Sequence, residues 1–142
     1  MSLELTEHEI NLVCESFNKL LINTDQAVFL FYNRLFSIAP ETALLFKTNM
    51  ADQRSKFIQM LGQVVRLLSE PDELPVLLQQ LGTRHKGYHV RADQYDDVGA
   101  ALMWMLEQCL ETGFTDEIRT AWLKVYAYMA ETAKSAAYPN LS

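Results

Sequence analysis

A histidine at the end of a leucine stripe is the first candidate for chemistry in this chain. His85 lies four residues after the last of a set of leucines at helical spacing, and it should therefore face the same buried space as they do. A neutral imidazole in such a space can ligate a metal. The alternative is a core histidine whose ring nitrogens make ordinary hydrogen bonds. This stretch alone favours that alternative, because one ligand does not make a site. The stripe comprises Leu74, Leu77, Leu78 and Leu81.

Two further polar side chains lie on helical faces that are otherwise apolar. Tyr32 brings a hydroxyl into a helix surface rich in valine, leucine and phenylalanine, and a buried phenol needs a hydrogen-bond partner. If Tyr32 has no functional role, that partner is water at the rim or a backbone carbonyl. Gln53 precedes Phe57 by one helical turn, on the stripe that continues through Leu61. An amide near a helix start is otherwise a cap or a solvated residue.

Composition and charge limit the classes of function. The chain has 142 residues, about half of them hydrophobic, with a net charge of −6. This charge argues against nucleic-acid binding, which needs a basic surface. No apolar run is long enough to span a bilayer, and the acidic N-terminus is unlike a secretory signal. We therefore expect a cytoplasmic protein without a membrane or nucleic-acid partner. Cys14 and Cys109 are expected to be reduced, buried thiols.

The remaining pattern predicts an all-α protein. Only five glycines and four prolines occur, and strand-like alternation is absent. Thr6 begins a capping-box pattern, and the stretch at 23–25 can cap a second helix that is apolar around more than half its circumference. A short helix follows Pro40. Longer helices are predicted over about 51–68, up to about Gly87, from a cap at Asp93 to Gly113, and after a cap at Thr115. This gives about seven helices.

Motifs in this order and spacing resemble a single-domain bacterial globin, and most closely the haem domain of flavohaemoglobins. The resemblance covers about residues 7–132. It rests on Phe31-Tyr32-Asn33-Arg34-Leu35-Phe36, Pro40 with Phe46 six residues later, Gln53 through Leu61-Gly62, Leu81-Gly82-Thr83-Arg84-His85-Lys86-Gly87-Tyr88, Tyr95-Asp96-Asp97-Val98-Gly99, and Gly113-Phe114-Thr115-Asp116-Glu117 followed by Ala121-Trp122.

The resemblance implies a globin fold around a haem pocket, with b-type haem as cofactor. His85 would be the proximal iron ligand and would leave the sixth position of a pentacoordinate iron open. Tyr32 and Gln53 would form the distal pair beside a gas ligand, and Phe46 would stack on the porphyrin. The other predicted contacts with haem are Lys56, Phe57, Leu81, Arg84, His89, Val90, Tyr95, Val98 and Leu102. Lys56, Arg84 or His89 could meet the propionates. His89 is alternatively an exposed residue.

Two features of the pocket depart from the family's pattern. Phe57 occupies a position where relatives usually have an aliphatic residue, so its ring should narrow the distal side. Tyr95 resembles a tyrosine that joins a late glutamate in a hydrogen-bond network to the proximal histidine. No glutamate occurs near Ala137, where the family has it, and Glu131 is the nearest acidic residue. Tyr95 as a simple packing residue therefore stays an equal alternative.

The implied function is binding of O2, NO and CO, with high O2 affinity and with nitric oxide dioxygenase capacity. A hydrogen bond from Tyr32 to O2 would slow O2 release roughly ten- to a hundredfold. Turnover would need electrons, and residues 1–142 are expected to form a single globin domain without a reductase domain. Any reductase would then be a separate protein, and the chain a monomer or weak homodimer. The alternative is an O2 storage, transport or gas-sensing module without turnover.

Overall fold

The computed structural model describes residues 4–45, 50–70, 72–87 and 93–137, and within these ranges it leaves the side chains at 44–45, 50–55, 81–87 and 136–137 undescribed. In these ranges the chain forms helices and turns, without strands. The α-helices are α1 (Glu7–Leu20), α2 (Thr24–Ile38), α3 (Met50–Arg66), α4 (Leu74–Gly87), α5 (Gln94–Leu110) and α6 (Asp116–Ala137). The predicted all-α class is confirmed. The predicted short helix after Pro40 is a 3₁₀ segment, Pro40–Leu45.

Most of the predicted helix caps form as the sequence indicates. Thr6 accepts from the Glu9 amide at 3.0 Å, and the Glu9 carboxylate accepts from the Thr6 amide at 3.1 Å, which completes a capping box. Asn23 accepts from the Gln26 amide at 3.2 Å. Thr115 accepts from the Ile118 amide at 3.3 Å. Asp93 is the exception, because it stands at the N-cap position of α5 in an αR backbone conformation and its side chain makes no capping hydrogen bond.

The helices pack in pairs that bring distant parts of the sequence together. Helix α4 packs mainly on α6, α2 on α5, and α1 on α6. The Trp122 indole N–H of α6 donates to the Ser16 hydroxyl of α1 at 2.8 Å, and Ser16 in turn donates to the Leu12 carbonyl at 2.8 Å. All of these polar atoms are thereby satisfied inside the apolar core. Between α2 and α5, the Arg34 guanidinium lies 4.4 Å from the centre of the Trp104 ring.

Two expectations about burial were wrong. Helix α2 is apolar around more than half its circumference, a pattern that predicts deep burial, yet the Phe29 side chain is 56% exposed. The positions that α2 buries, from Val28 through Phe31 and Tyr32 to Leu35, follow the i, i+3, i+4, i+7 spacing of one face, and Phe29 lies outside that face. Cys14 and Cys109 are free thiols, but they are half-buried, with burial raising the pKa of both.

None of the helices in the described ranges is both long enough and apolar enough to cross a bilayer.

Candidate functional site

Tyr32 lies inside a group of aromatic rings contributed by two helices. We call Phe31, Tyr32 and Phe36 of α2 together with Phe57 of α3 the Tyr32 cluster. The Tyr32 side chain is 5% exposed. Its ring centre lies 5.0 Å from that of Phe31 with an interplanar angle of 83°, and 5.8 Å from that of Phe36 with an angle of 40°. The predicted placement of a phenol on a buried apolar face of α2 is therefore confirmed.

Phe57 brings α3 against this part of α2. Its ring stacks on that of Phe31, with centres 4.2 Å apart and an interplanar angle of 20°, and it meets the Tyr32 ring edge-on at 5.9 Å. Such offset and edge-to-face pairs are the favoured arrangements of aromatic side chains. Of the predicted site residues, Tyr32 and Phe57 are thus in contact. Gln53 lies on α3 one turn before Phe57, and its side chain falls outside the described residues.

Helix α4 buries the leucine stripe on which His85 was identified. Leu74 and Leu78 are 3% and 0% exposed, and Leu77 packs against the same core. His85 follows Leu78 by seven residues within α4 (Leu74–Gly87), a spacing that keeps positions on one face of a helix. The stripe on which the histidine was identified is therefore an inward one. The side chains of Leu81, Arg84 and His85 themselves are not among those described.

Helix α5 carries three of the predicted haem contacts, in two different environments. Leu102 is 3% exposed, and Val98 packs partly buried against the core cluster that also contains Tyr32 and Leu78. Tyr95 packs in a separate small cluster with alanines 130 and 133 of α6. The structure thus joins Val98 and Leu102 to the main core, which also contains Tyr32, and it places Tyr95 against α6.

The acidic residue nearest to the family's late glutamate points away from Tyr95. Ala130 and Ala133 form the α6 face that Tyr95 contacts. Glu131 lies off that face, and its side chain is 54% exposed and pairs with Lys134 at 3.5 Å. A carboxylate held in solvent by a lysine cannot replace the absent glutamate beside Tyr95. Both alternatives left open by the sequence, a packing role for Tyr95 and a link to the proximal histidine, stay predictions.

Several predicted site residues are not tested by these contacts. Lys56 is exposed, as a side chain at the rim of a pocket would be. Its exposure alone does not show that it lies beside a pocket. Phe46, His89 and Val90 lie in the ranges 46–49 and 88–92, outside the described residues. Their assignments stay predictions.

Tyr126 of α6 lies on the inward stripe that apolar spacing predicts after Thr115, and its hydroxyl has a specific role. It donates to the Tyr95 carbonyl at 2.5 Å. Burial is the main cause that raises the pKa of Tyr126, and the neighbouring Tyr95, Asp96 and Asp97 add to it, so the hydroxyl stays protonated. A Cβ on Gly99 would lie 2.6 Å from the Tyr126 ring. A glycine inside a predicted helix was the available signal, because it suggests a close approach at that position.

Comparison with known protein families identifies one family and several relatives. The model of the Globin family matches residues 30–133. A flavohemoprotein of Rhizobium meliloti (strain 1021) is 33% identical over 106 residues, which are 71% of this chain and 26% of that protein. This chain therefore spans about a quarter of the flavohemoprotein. A neuroglobin of Chaenocephalus aceratus is 28% identical over 138 residues, and the match covers 87% of each protein.

Two solved structures share the fold at low sequence identity. One is a hexacoordinated heme protein from an anhydrobiotic tardigrade, determined at pH 4, with a TM-score of 0.82, 18% identity and coverage of 95% of this chain and 96% of that chain. The other is ferric Aplysia limacina myoglobin, with a TM-score of 0.81, 19% identity and coverage of 94% and 99%. The helical arrangement described above is that of these proteins.

Proposed function

The chain belongs to the globin family, and from that premise we propose that it carries haem b and binds O2, NO and CO. When bound, haem would supply an iron that takes a diatomic gas. One of the two solved structures that share the fold is a hexacoordinated heme protein. A haem site needs apolar walls and at least one polar donor. Leu77, Val98 and Leu102 offer apolar surface in the core cluster that also contains the Tyr32 ring.

The observation that carries the proposal is the burial of Tyr32 among aromatic rings. Phe31 and Phe57 pack on its ring and exclude water from its surroundings. A hydrogen-bond donor fixed in a water-poor site stabilises partial negative charge more than the same donor in solvent does. Tyr32 would donate to the outer oxygen atom of bound O2, and it would stabilise the less polar CO to a smaller extent.

The remaining roles follow the resemblance residue by residue. His85 would hold the iron through its imidazole, and Gln53 would donate to the gas ligand or to Tyr32. Phe46 would stack on the porphyrin. Lys56, Arg84 or His89 would meet the propionates at the rim. The same proposal includes a pentacoordinate ferrous iron, a cytoplasmic location, and a chain that is a monomer or weak homodimer.

The haem proposal is tested by absorption spectra of the purified full chain. We expect a Soret band in the native protein and its loss in His85→Ala, with Tyr128→Phe as a control that retains it. A ferrous spectrum of the six-coordinate type without added ligand would overturn the pentacoordinate part, since it would mean that a side chain occupies the gas position. A native chain that takes up no haem would overturn the whole proposal.

The role of Tyr32 is tested by O2 release. Tyr32→Phe removes only the hydroxyl, and a hydrogen bond to a charged group contributes about 1.5–3 kcal/mol. We expect O2 dissociation to become roughly ten- to a hundredfold faster, with a much smaller effect on CO. Stopped-flow displacement of O2 by CO measures this rate. Equal effects on the two gases would contradict a charge-sensitive hydrogen bond.

We further propose nitric oxide dioxygenase capacity. Bound haem would supply the chemistry by which NO and O2 combine to nitrate with the loss of one electron, and a reductase would have to return that electron. The oxygenated protein mixed with NO should yield nitrate in a one-to-one ratio to iron oxidised. Reversible O2 binding without nitrate formation would instead identify a storage or sensing module, the alternative that the sequence leaves open.

A further inference from the structure

A surface cleft lies where the turn between α1 and α2 meets the end of α5. Its volume is about 340 Å³, and Cys109 lies in its lining, so we call it the Cys109 cleft. This volume is within the range of about 300–1,000 Å³ that is usual for small-molecule sites. Cys109 follows Val98 by eleven residues, which corresponds to about 16 Å along a helix axis. None of the described residues assigned to the haem site lines this cleft.

One part of the lining of the Cys109 cleft is apolar. Leu20 is 1% exposed and belongs to the core, and Leu110 packs against the same core while it remains partly accessible. Ile22 also lines the cleft, and its side chain is 85% exposed. A ligand with an apolar chain would cover Ile22 and contact Leu110, and it would thereby remove apolar surface from water.

The cleft also carries a positive charge without a counterion from the described part of the chain. Lys19 lines it, and none of the ion pairs formed by described residues includes this lysine, whereas Lys124 and Lys134 each pair with a glutamate. The Lys19 ammonium lies 3.9 Å from the position that a Cβ on Gly113 would take, so it reaches toward the turn after α5. A cation of this kind beside apolar surface favours an anionic ligand group.

The two amide side chains of the cleft offer donors rather than acceptors. The Asn23 side-chain carbonyl accepts from the Gln26 backbone amide at 3.2 Å, and the Asn23 side-chain amide donates to the Gln26 side-chain carbonyl at 3.1 Å. Both side-chain oxygens are therefore already used, and the N–H groups of the Gln26 side chain are left to donate. Together with the Lys19 ammonium they select a ligand that accepts hydrogen bonds.

We propose that the Cys109 cleft binds a small carboxylate with a short apolar chain. The carboxylate would accept from the Lys19 ammonium and the Gln26 side chain, and the apolar chain would lie against Leu110 and Ile22. A water molecule occupies about 30 Å³ in the liquid, so the cleft has room for roughly ten groups of that size, enough for a carboxylate of about six carbons. Binding of so small a ligand should be weak, with a dissociation constant on the order of millimolar. The inference does not depend on haem.

Protection of the Cys109 thiol tests the proposal on the purified full chain. The probe is hexanoate, and 1-hexanol is the uncharged comparison of the same length. We expect hexanoate to slow alkylation of Cys109 by N-ethylmaleimide, measured by peptide mass spectrometry, and to leave Cys14 unaffected. Half-maximal protection by 1-hexanol should need a roughly two- to fivefold higher concentration, the effect of one exposed charge pair. Absent protection, equal protection by the two compounds, or equal slowing at Cys14 would overturn the proposal.

A pair of lysine variants tests the role assigned to Lys19. In Lys19→Met the charge is lost and the apolar length of the side chain is kept, so hexanoate should protect Cys109 no better than 1-hexanol does. Lys134→Met makes the same change of net charge outside the cleft, and it should keep the advantage of hexanoate. If Lys19→Met also keeps that advantage, the carboxylate is not held by Lys19 and the proposed site is wrong.

Discussion

At the scale of single residues, the Tyr32 cluster shows why the phenol can act as a fixed donor. Tyr32 meets the Phe31 and Phe57 rings edge-on, and these two rings stack on each other. Aromatic pairs of this kind contribute about 0.5–1.5 kcal/mol beyond the burial of their area. The hydroxyl is therefore carried by a ring whose orientation is restricted on several sides.

Replacement of Phe57 should open the distal side of the proposed site. In Phe57→Leu the stack with Phe31 is lost and the pocket beside Tyr32 widens. We expect CO association, measured by flash photolysis, to become about two- to tenfold faster. Phe114→Leu serves as the control, because Phe114 lies outside the Tyr32 cluster, beneath the Arg119 guanidinium. Equal association rates in native protein and Phe57→Leu would show that this ring does not restrict entry.

The sequence predicted the residues of this cluster better than their contacts. Tyr32 was identified because it interrupts a buried apolar face, and the structure confirms that face. The stack of Phe31 on Phe57 could not be predicted, because helical periodicity gives the inward direction of each side chain and leaves the relative position of α2 and α3 undetermined.

At the scale of helices, the contacts of α6 with α1 and α5 depend on particular small or polar residues. Ser16 accepts from the Trp122 indole, and Gly99 admits the Tyr126 ring. Neither pairing was predicted, since each joins residues on two different helices, and helical periodicity does not give the relative position of two helices. The predicted cap at Asp93 does not form, for a local reason. The Asp93 backbone is in the αR region, whereas a capping residue adopts the β region.

Loss of the Ser16 hydroxyl should weaken the contact between α1 and α6. In Ser16→Ala the buried Trp122 N–H is left without its acceptor, which costs about 1–3 kcal/mol. Urea denaturation should show this loss, whereas Ser37→Ala, at an exposed position of α2, should change the free energy of unfolding little. A native-like stability of Ser16→Ala would mean that Trp122 finds another acceptor.

Two glycines inside helices should respond in opposite directions to replacement by alanine. Gly99→Ala would force a methyl group against the Tyr126 ring, and overpacking of this kind costs about 1–3 kcal/mol. At Gly62 the added Cβ would lie 3.5 Å from the Phe17 ring, an ordinary contact. The better helix propensity of alanine should therefore stabilise Gly62→Ala by about 0.5–1 kcal/mol.

Thermal melts of these two variants and the native chain provide the comparison. If Gly99→Ala is as stable as Gly62→Ala, the close approach of α6 to α5 is not present in solution.

At the scale of the whole molecule, ion pairs join the first helix to the last. The Lys124 ammonium of α6 lies 2.8 Å from the Glu9 carboxylate of α1. Lys124 and the Thr6 amide hold the pKa of Glu9 below its ordinary value of 4.5. Because the pKa is lower in the folded than in the unfolded chain, this carboxylate stabilises the fold above the ordinary value, and the contribution is lost as the pH falls through the folded pKa.

The pH dependence of stability should therefore differ in Glu9→Gln. We expect the native chain to be more stable than this variant at pH 7, with the difference diminishing as the pH falls below about 4.5. Thermal melts over a pH series measure it. Glu107→Gln is the control, since Glu107 forms an exposed pair with Arg119 at 3.5 Å, and such pairs contribute little. A Glu9→Gln difference that persists unchanged at low pH would contradict the argument.

The sequence predicted most of the architecture at this scale. The positions of α1 to α6 and the inward stripe of α4 follow from apolar spacing and caps, which are local properties. Local patterns could not predict which helices pair, because that depends on the combined shape of their surfaces. His85 illustrates the division, since its stripe is confirmed while its proposed partner, the iron, was inferred only from the resemblance.

The contact between Ser16 and Trp122 also has a consequence for the order of folding during synthesis. The two residues are separated by 106 positions, and ribosomes add about 5–20 residues per second. The apolar face of α1 is therefore complete roughly 5 to 20 s before the helix that covers it exists. During that interval the nascent chain exposes a surface that chaperones recognise, and α1 can reach its final place only after nearly the whole domain has been made.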